Sequence, residues 1–432
     1  MARQMKESGI DWIGEIPSNW KVGKIKYCTT KIGSGKTPKG GSEVYTQTGV
    51  LFIRSQNVYD EGLKLDKPFF ITPEMDSEMS STRVAENDVL LNITGGSIGR
   101  SCIMPASHLP ANVNQHVSII RVRQGLVMPQ IMHYFWMSNA GKTAIDLFQT
   151  GGNREGMSAD AIANTPFLYY GMDEQKRIVY YLDKKCAQID AVISKTNATI
   201  EEYKKLKQSI IAEAVTKGIQ HNRQMKPSGI AWTQKIPGNW SVIPSKYVFR
   251  NSDERKHDGD VLLTSSQKYG IISQSEYMER ENAKVVLANK GLEDWKHVGP
   301  YDFIISLRSF QGGLEMSETT GCITWHYIVL KPCREIYSNY YKWLFKSEVY
   351  IRALQRTCNF IRDGQDLRYS NFVQVPLVVP PIAEQKEIAD YLDKKCAEID
   401  TLISKKTALL GELENYKKSI IYEYVTGKKE VQ

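Results

Sequence analysis

Two stretches of the chain carry apolar residues at alternating three- and four-residue steps, and both keep the same register. The first runs Leu182, Cys186, Ile189, Ile193, Thr196, Ile200, Tyr203, Lys207, Ile210, Ala214, and the second Leu392, Cys396, Ile399, Ile403, Lys406, Leu410, Leu413, Lys417, Ile420, Tyr424. That spacing is the seam of a coiled coil. It predicts long helices over 174–217 and 384–426, with charged residues such as Lys184, Lys185, Glu201, Glu202 and Lys204 on the solvated faces. Both stripes break at the same two steps, 196/406 and 207/417. Asp173 is placed to cap the first helix, Pro380-Pro381 precede the second, and Gly218 and Gly427 stand where left-handed C-caps stand.

The helices belong to a larger duplication. Glu174–Thr196 returns at Glu384–Lys406 with 16 of 23 positions identical, and Met5–Tyr27 returns at Met225–Tyr247 with 13 of 23. Between these near-copies lie two diverged inserts, 28–170 and 248–380. A tandem duplication of this kind predicts pseudo-two-fold symmetry, and two seams of one register most simply pair with each other, antiparallel. At 1.5 Å per residue, ~43 residues make a rod of roughly 65 Å, on the scale of one to two turns of DNA. Each insert alternates short apolar runs with polar turns, at 50–53, 88–91 and 117–122 and again at 261–263, 302–305 and 327–330, which read as strands. A helical tract follows each set, Gln130–Leu147 and Ser338–Gln355. The fold class is therefore α+β, with two globular α/β modules in pseudo-two-fold arrangement separated by long antiparallel coiled-coil helices. The expected boundaries are 1–170 and 223–380 for the modules, and 171–222 and 381–432 for the helices.

Composition excludes some classes. At 432 residues and 41% hydrophobic content the chain can bury more than one core. No apolar run reaches the ~18 residues a membrane span needs, and the opening MARQMKESGIDW lacks the apolar core of a signal peptide. The seven scattered cysteines form no CxxC pair, a pattern of reduced cytoplasmic thiols. A net charge of +8 permits an anionic partner.

Candidate chemistry sits in the insert loops. The first insert offers Lys36, Thr37 and Lys39, then Arg54, Ser55, Gln56 and Asn57, then Thr94, Ser97 and Arg100, with Arg154 further on. The second offers Arg250, Arg255 and Lys256, then Ser266, Gln267, Lys268 and Tyr269, then Arg308, Gln311 and Arg362. Arg, Asn and Gln make bidentate pairs with base edges, while Lys, Ser and Thr suit phosphates. His116 and His326, 210 positions apart before matching strands, read as hydrogen-bonded structural histidines. Three enzymatic look-alikes fail. GSGKT at 33–37 has Thr30 where a phosphate loop needs its first glycine. Asn164-Thr165-Pro166-Phe167 lacks the proline of the amino-methyltransferase tetrapeptide. Glu174-Gln175-Lys176 and Glu384-Gln385-Lys386 head helices without an upstream acidic ligand. The chain reads as non-catalytic, with no metal ligand set.

The order of parts resembles the specificity (S) subunit of type I restriction–modification enzymes. The resemblance is carried by Trp12-Ile16-Pro17-Trp20 and Trp232-Ile236-Pro237-Trp240, by Glu174-Gln175 and Glu384-Gln385 heading the helices, and by Phe52–Val58 and the Gly95–Arg100 loop. It implies that the inserts are target recognition domains, each reading half of a split asymmetric site in double-stranded DNA. It also implies that the helices set the spacer and dock two methyltransferase subunits carrying S-adenosylmethionine. Motor/nuclease subunits using ATP and Mg would complete a cytoplasmic prokaryotic complex. A second reading is a two-fold scaffold that binds proteins or peptides without DNA.

Overall fold

The computed structural model describes residues 3–149, 156–282, 291–306, 309–357 and 367–431. The chain forms two compact units: Met1–Thr196 with Ala408–Gln432, and Asn197–Thr407. The long helices run Met172–Lys217 and Ile382–Val425, so each gives one half to each unit.

The helices pair antiparallel inside both units. In the first unit Lys417 Nζ reaches the Asp190 carboxylate at 2.7 and 2.8 Å, and Tyr181 packs on Tyr424 with ring centroids 4.4 Å apart. Lys207 Nζ reaches both Asp400 oxygens at 2.7 Å in the second unit. These two ion pairs are images of one another under the 210-residue offset, and they explain the shared break at 207/417: a lysine occupies the seam because an aspartate of the opposite helix receives it. The break at Thr196 has a different cause, since its hydroxyl donates to its own helix at Val192 O (2.8 Å). Every other seam position is buried or half-buried, from Leu182, Ile189, Ile193, Ile200, Tyr203 and Ile210 to Leu392, Ile399, Ile403, Leu410, Leu413 and Ile420. Burial raises the thiols of Cys186 and Cys396 to about 11, as suits core residues.

Because Asp190 is 39% exposed, Lys417→Met should cost only about 1–2 kcal/mol in urea unfolding. Exchanging the pair, Asp190→Lys with Lys417→Asp, should recover part of that loss. Equal stability of the single and exchanged variants would show that the lysine is held by packing alone.

Helix ends differ in detail from the sequence expectation. The first helix starts at Met172, where the Gln175 amide donates to Gly171 O (3.0 Å). Asp173 is therefore not the cap; it lies in the first turn and pairs with Lys176 at 3.7 Å. Both C-terminal glycines are left-handed, with φ +77° at Gly218 and +73° at Gly427. A Cβ on Gly427 would fall 2.4 Å from Pro17 Cδ, so glycine is also needed for close approach.

The two diverged inserts are each built on a four-stranded sheet of corresponding order. In the first unit it is antiparallel, in the order Ser101–Ile103, Val89–Asn92, Val117–Val122, Thr29–Ser34. In the second, Glu315–Met316, Phe303–Ile305, Ile328–Pro332 and Phe249–Ser252 take the corresponding places. The strand expected at 261–263 begins instead at Leu263 and runs to Ser266. Each expected helical tract is two helices, Pro129–Met137 with Asn139–Phe148 and Ser338–Lys346 with Glu348–Gln355. A buried serine divides each pair, because Ser138 and Ser347 are extended and turn their hydroxyls onto Phe135 O (2.7 Å) and Leu344 O (2.6 Å).

The repeated motifs close each module onto its helix. Trp20 and Trp240 are fully buried. Glu174 accepts from Trp20 Nε1 at 3.0 Å and pairs with Arg3, while Glu384 pairs with Arg223. Gln175 accepts from Met128 N (2.8 Å) and donates to Leu126 O and Tyr170 O (both 2.9 Å). Gln385 does the same for Tyr337 N and Pro380 O, at 2.9 Å each. The Glu-Gln heads are thus locks between module and helix, and their carboxylates are spent on arginine.

Candidate nucleic-acid interface

Four loops of the first unit converge at one end of its sheet. The Gly35 and Lys36 amides donate to Val117 O and Val113 O, at 3.0 and 3.2 Å, which pins the GSGKT segment to the 113–117 connection. Those N–H groups are consumed by the chain itself and do not cradle a phosphate. A Cβ on Gly35 would overlap Val113 O, so only glycine passes here. The Asn114 amide donates to Ile53 O (3.0 Å), and Asn92 Nδ2 to Ser55 O (2.8 Å) and Ser97 Oγ (3.2 Å). Segments 35–39, 54–57, 92–100 and 113–117 therefore form one surface.

A polar relay crosses it. Thr37 donates to Gln115 Oε1, the Gln115 amide donates to His116 Nε2 at 3.1 Å, and His116 Nδ1 meets Thr94 Oγ1 at 2.7 Å. With Nε2 accepting, Nδ1 carries the proton and donates to Thr94 Oγ1, which leaves the Thr94 hydroxyl hydrogen to point onward. His116 has both nitrogens engaged, as a hydrogen-bonded histidine should. Lys36, Thr37, Lys39 and Gln56 are exposed around this relay. The Arg54 guanidinium lies 3.7 Å over the Phe69 ring and Arg100 lies 4.8 Å over Tyr59, so both arginines are held by aromatic faces. Asn57 departs from the expectation of base contact. It is buried, accepting from Arg54 N (3.0 Å) and donating to Lys64 O (2.9 Å), and it shapes the turn.

In the second unit the expected residues are largely engaged within the protein. Arg255 pairs with Asp294 at 3.2 Å. Lys268 pairs with Glu281 at 2.9 Å, and its ammonium is shifted upward by hydrogen bonding to Tyr269 and Glu281. Ser266 Oγ caps its hairpin by accepting from the Lys268 and Tyr269 amides (3.2 and 3.3 Å). Gln267 lies against Gly312. Arg250 and Lys256 are exposed. Arg154, Arg308, Arg362 and the side chain of Gln311 lie outside the described residues. His326, expected as a hydrogen-bonded structural histidine, meets Thr324 Oγ1 through Nδ1 at 3.2 Å, but it is exposed and stacks on Trp325 at 3.6 Å.

Two positions were missed from sequence, Gln115 and Trp325. They occupy the same place, 210 residues apart, immediately before the histidines that the offset had marked. Trp325 is 53% exposed, an aromatic face at the turn where the first unit places its relay. In the second unit, a turn this polar in context and carrying a solvent-facing tryptophan is the stronger signal. Elsewhere, His133 is structural. Burial lowers His133 to about 4, and its Nδ1 bonds Ser101 Oγ at 2.8 Å in the core. Among the described residues, no helix is long and apolar enough to cross a membrane.

Paired long helices and two sheet modules bearing different loops give the chain a duplicated, two-module architecture. No family model matches the chain. It is 22% identical over 437 residues to the putative type I restriction enzyme MjaX specificity subunit of Methanocaldococcus jannaschii, covering 97% of this chain and 96% of that protein. With the EcoKI specificity subunit of Escherichia coli it shares 20% identity over 439 residues, covering 97% and 91%. The fold matches a solved chain from a study of complex assembly and conformational transition of the type I R-M system, with TM-score 0.70, 15% identity, and 96% and 99% coverage. End to end, and with its parts in the same order, this chain is similar to specificity subunits of type I restriction enzymes.

Proposed function

We propose that this chain reads DNA for a type I restriction–modification complex, each module contacting one half of a split, asymmetric site. The observation that carries the reading is the preserved sheet beneath unlike loops. One scaffold holds a relay of Thr37, Gln115, His116 and Thr94 in the first unit and Trp325 with His326 in the second. Unlike loops on a like scaffold suit unlike half-sites. In the first unit, exposed Lys36 and Lys39 suit phosphates, and Gln56, Gln115 and Arg100 suit base edges. The paired helices set the spacer and dock two methyltransferase subunits, which bring S-adenosylmethionine; ATP and Mg belong to the motor/nuclease subunits. This chain contributes recognition and no bond-making chemistry.

Exchange of residues 28–170 for the insert of another such subunit tests the reading. The chimera, assembled with its methyltransferase partner, should methylate sites altered in one half and unchanged in the other, as mapped by single-molecule sequencing of genomic adenines. Changes in both halves would overturn it, as would DNA binding that ignores salt between 50 and 200 mM, where phosphate contacts of this number weaken binding by orders of magnitude.

A further inference from the structure

Glu254, His257 and His297 bring one ligand atom each to within 4.8 Å of one another, the only such group of three among the described residues. They lie in the second unit, on the Arg250–His257 segment and the strand Lys296–Val298 beside it. The two imidazoles stack at 3.9 Å, and His257 Nε2 lies 3.0 Å from Glu254 Oε1. Asp260 organises the group from behind. Its Oδ2 accepts from the His257 backbone amide and from His297 Nδ1, both at 2.8 Å, and it is almost fully buried. With Nδ1–H committed to Asp260, His297 presents Nε2 as a lone pair, the arrangement by which a carboxylate orients a metal-binding histidine. The His297 amide donates to Glu254 O (2.8 Å), which sets the segment and strand in register.

From this geometry we infer that the second unit holds a transition-metal site, with His257, His297 and Glu254 as ligands and Asp260 as the positioning residue. Two imidazoles and a carboxylate select a borderline cation such as Zn²⁺ over Mg²⁺ or Ca²⁺, which prefer all-oxygen shells. Closing onto ligand distances of about 2.0–2.2 Å requires movement. The ligands that must move are the exposed ones: His257 and Glu254 are 54% and 41% exposed, against 13% for His297. Lys331 Nζ lies 2.5 Å from Glu254 Oε2 and opposes the cation, leaving Oε1 as the coordinating oxygen. The metal would staple the segment that carries Arg255 and Lys256 to its neighbouring strand. Among the described residues, the first insert carries no such group.

Titration of the purified full chain with ZnCl₂, by calorimetry and by thermal unfolding, tests the inference directly. The expected result is one Zn²⁺ per chain with a raised midpoint, and no effect of MgCl₂. His257→Ala, at an exposed position, should fold normally and lose that equivalent while leaving any binding at the exposed thiol of Cys333 untouched. Asp260→Asn should weaken binding by about 10–100-fold. Absence of Zn²⁺ binding in the wild-type chain, or binding that His257→Ala leaves unchanged, would overturn the assignment. Because neither readout involves DNA, failure here would leave the recognition role intact.

Discussion

Gln175→Ala should lower the thermal midpoint of the first unit by on the order of 10 °C, the largest effect expected of any polar substitution in the frame. The side chain is 1% exposed and makes three hydrogen bonds, so alanine strands the buried carbonyl of Tyr170 and removes the partner of the half-buried Met128 N–H and Leu126 carbonyl. Each unpaired group costs about 1–3 kcal/mol, and the excavated volume adds to this. Gln175→Glu separates the contributions, because it keeps an acceptor for Met128 but turns a carboxylate toward two carbonyl oxygens. It should be at least as destabilising as alanine. Calorimetry should show Gln385→Ala reproducing the effect in the second unit with a smaller amplitude, since that amide bonds Tyr337 N and Pro380 O. A change of a degree or two in Gln175→Ala would mean that water replaces the amide and that the lock is dispensable.

Aspartate at Leu182 or Leu392 should cost several kcal/mol and abolish cooperative unfolding of the unit that contains it. Both leucines are 0% exposed, at corresponding points where a long helix meets its module. A carboxylate there is buried without a cation, and desolvation of an unpaired charge outweighs the lost packing. Ile193→Asp and Ile403→Asp, at half-buried seam positions, should be milder because water reaches both sites. Denaturant unfolding that ranks the four variants equally would refute the depth ordering. Near wild-type stability in Leu182→Asp would refute the seam itself.

Much of the frame was legible because its signals are periodic or repeated. A three-four stripe specifies which side of a helix meets a partner whatever surrounds it, and ten positions per helix suffice to define it. The shared lysine at 207 and 417 was visible as an interruption. That each lysine answers an aspartate of the other helix required the antiparallel register, since Asp190 and Lys417 are 227 residues apart. The Glu-Gln heads showed the same limit, because their partners Arg3, Trp20 and Met128 are remote in sequence.

Loop chemistry was the least legible. Arg54, Asn57 and Ser55 stand within four positions, yet one lies over an aromatic ring, one is buried in its own turn, and one lends its carbonyl to Asn92. Residue type states what a side chain can do; only neighbours decide whether it is already doing so. The cost of burying an unpaired donor or charge forces such groups onto internal partners wherever the fold brings one near. Even exposed cations differ in this respect: Arg255 and Lys268 face carboxylates that the fold brings near, whereas Lys36 and Lys39 stand exposed around the relay.

By itself the sequence determined the duplication, the register of the two seams, the glycine ends of the long helices and the α+β class. All of these follow from local periodicity and from identity at constant offset. Tertiary structure alone decided that each helix is shared between two units, and that unlike inserts carry sheets of one strand order. It also decided that Glu254, His257 and His297 meet. Contacts between residues tens or hundreds of positions apart leave no periodic trace in a chain, and they arise only when burial of the strands and helices between them brings their loops together.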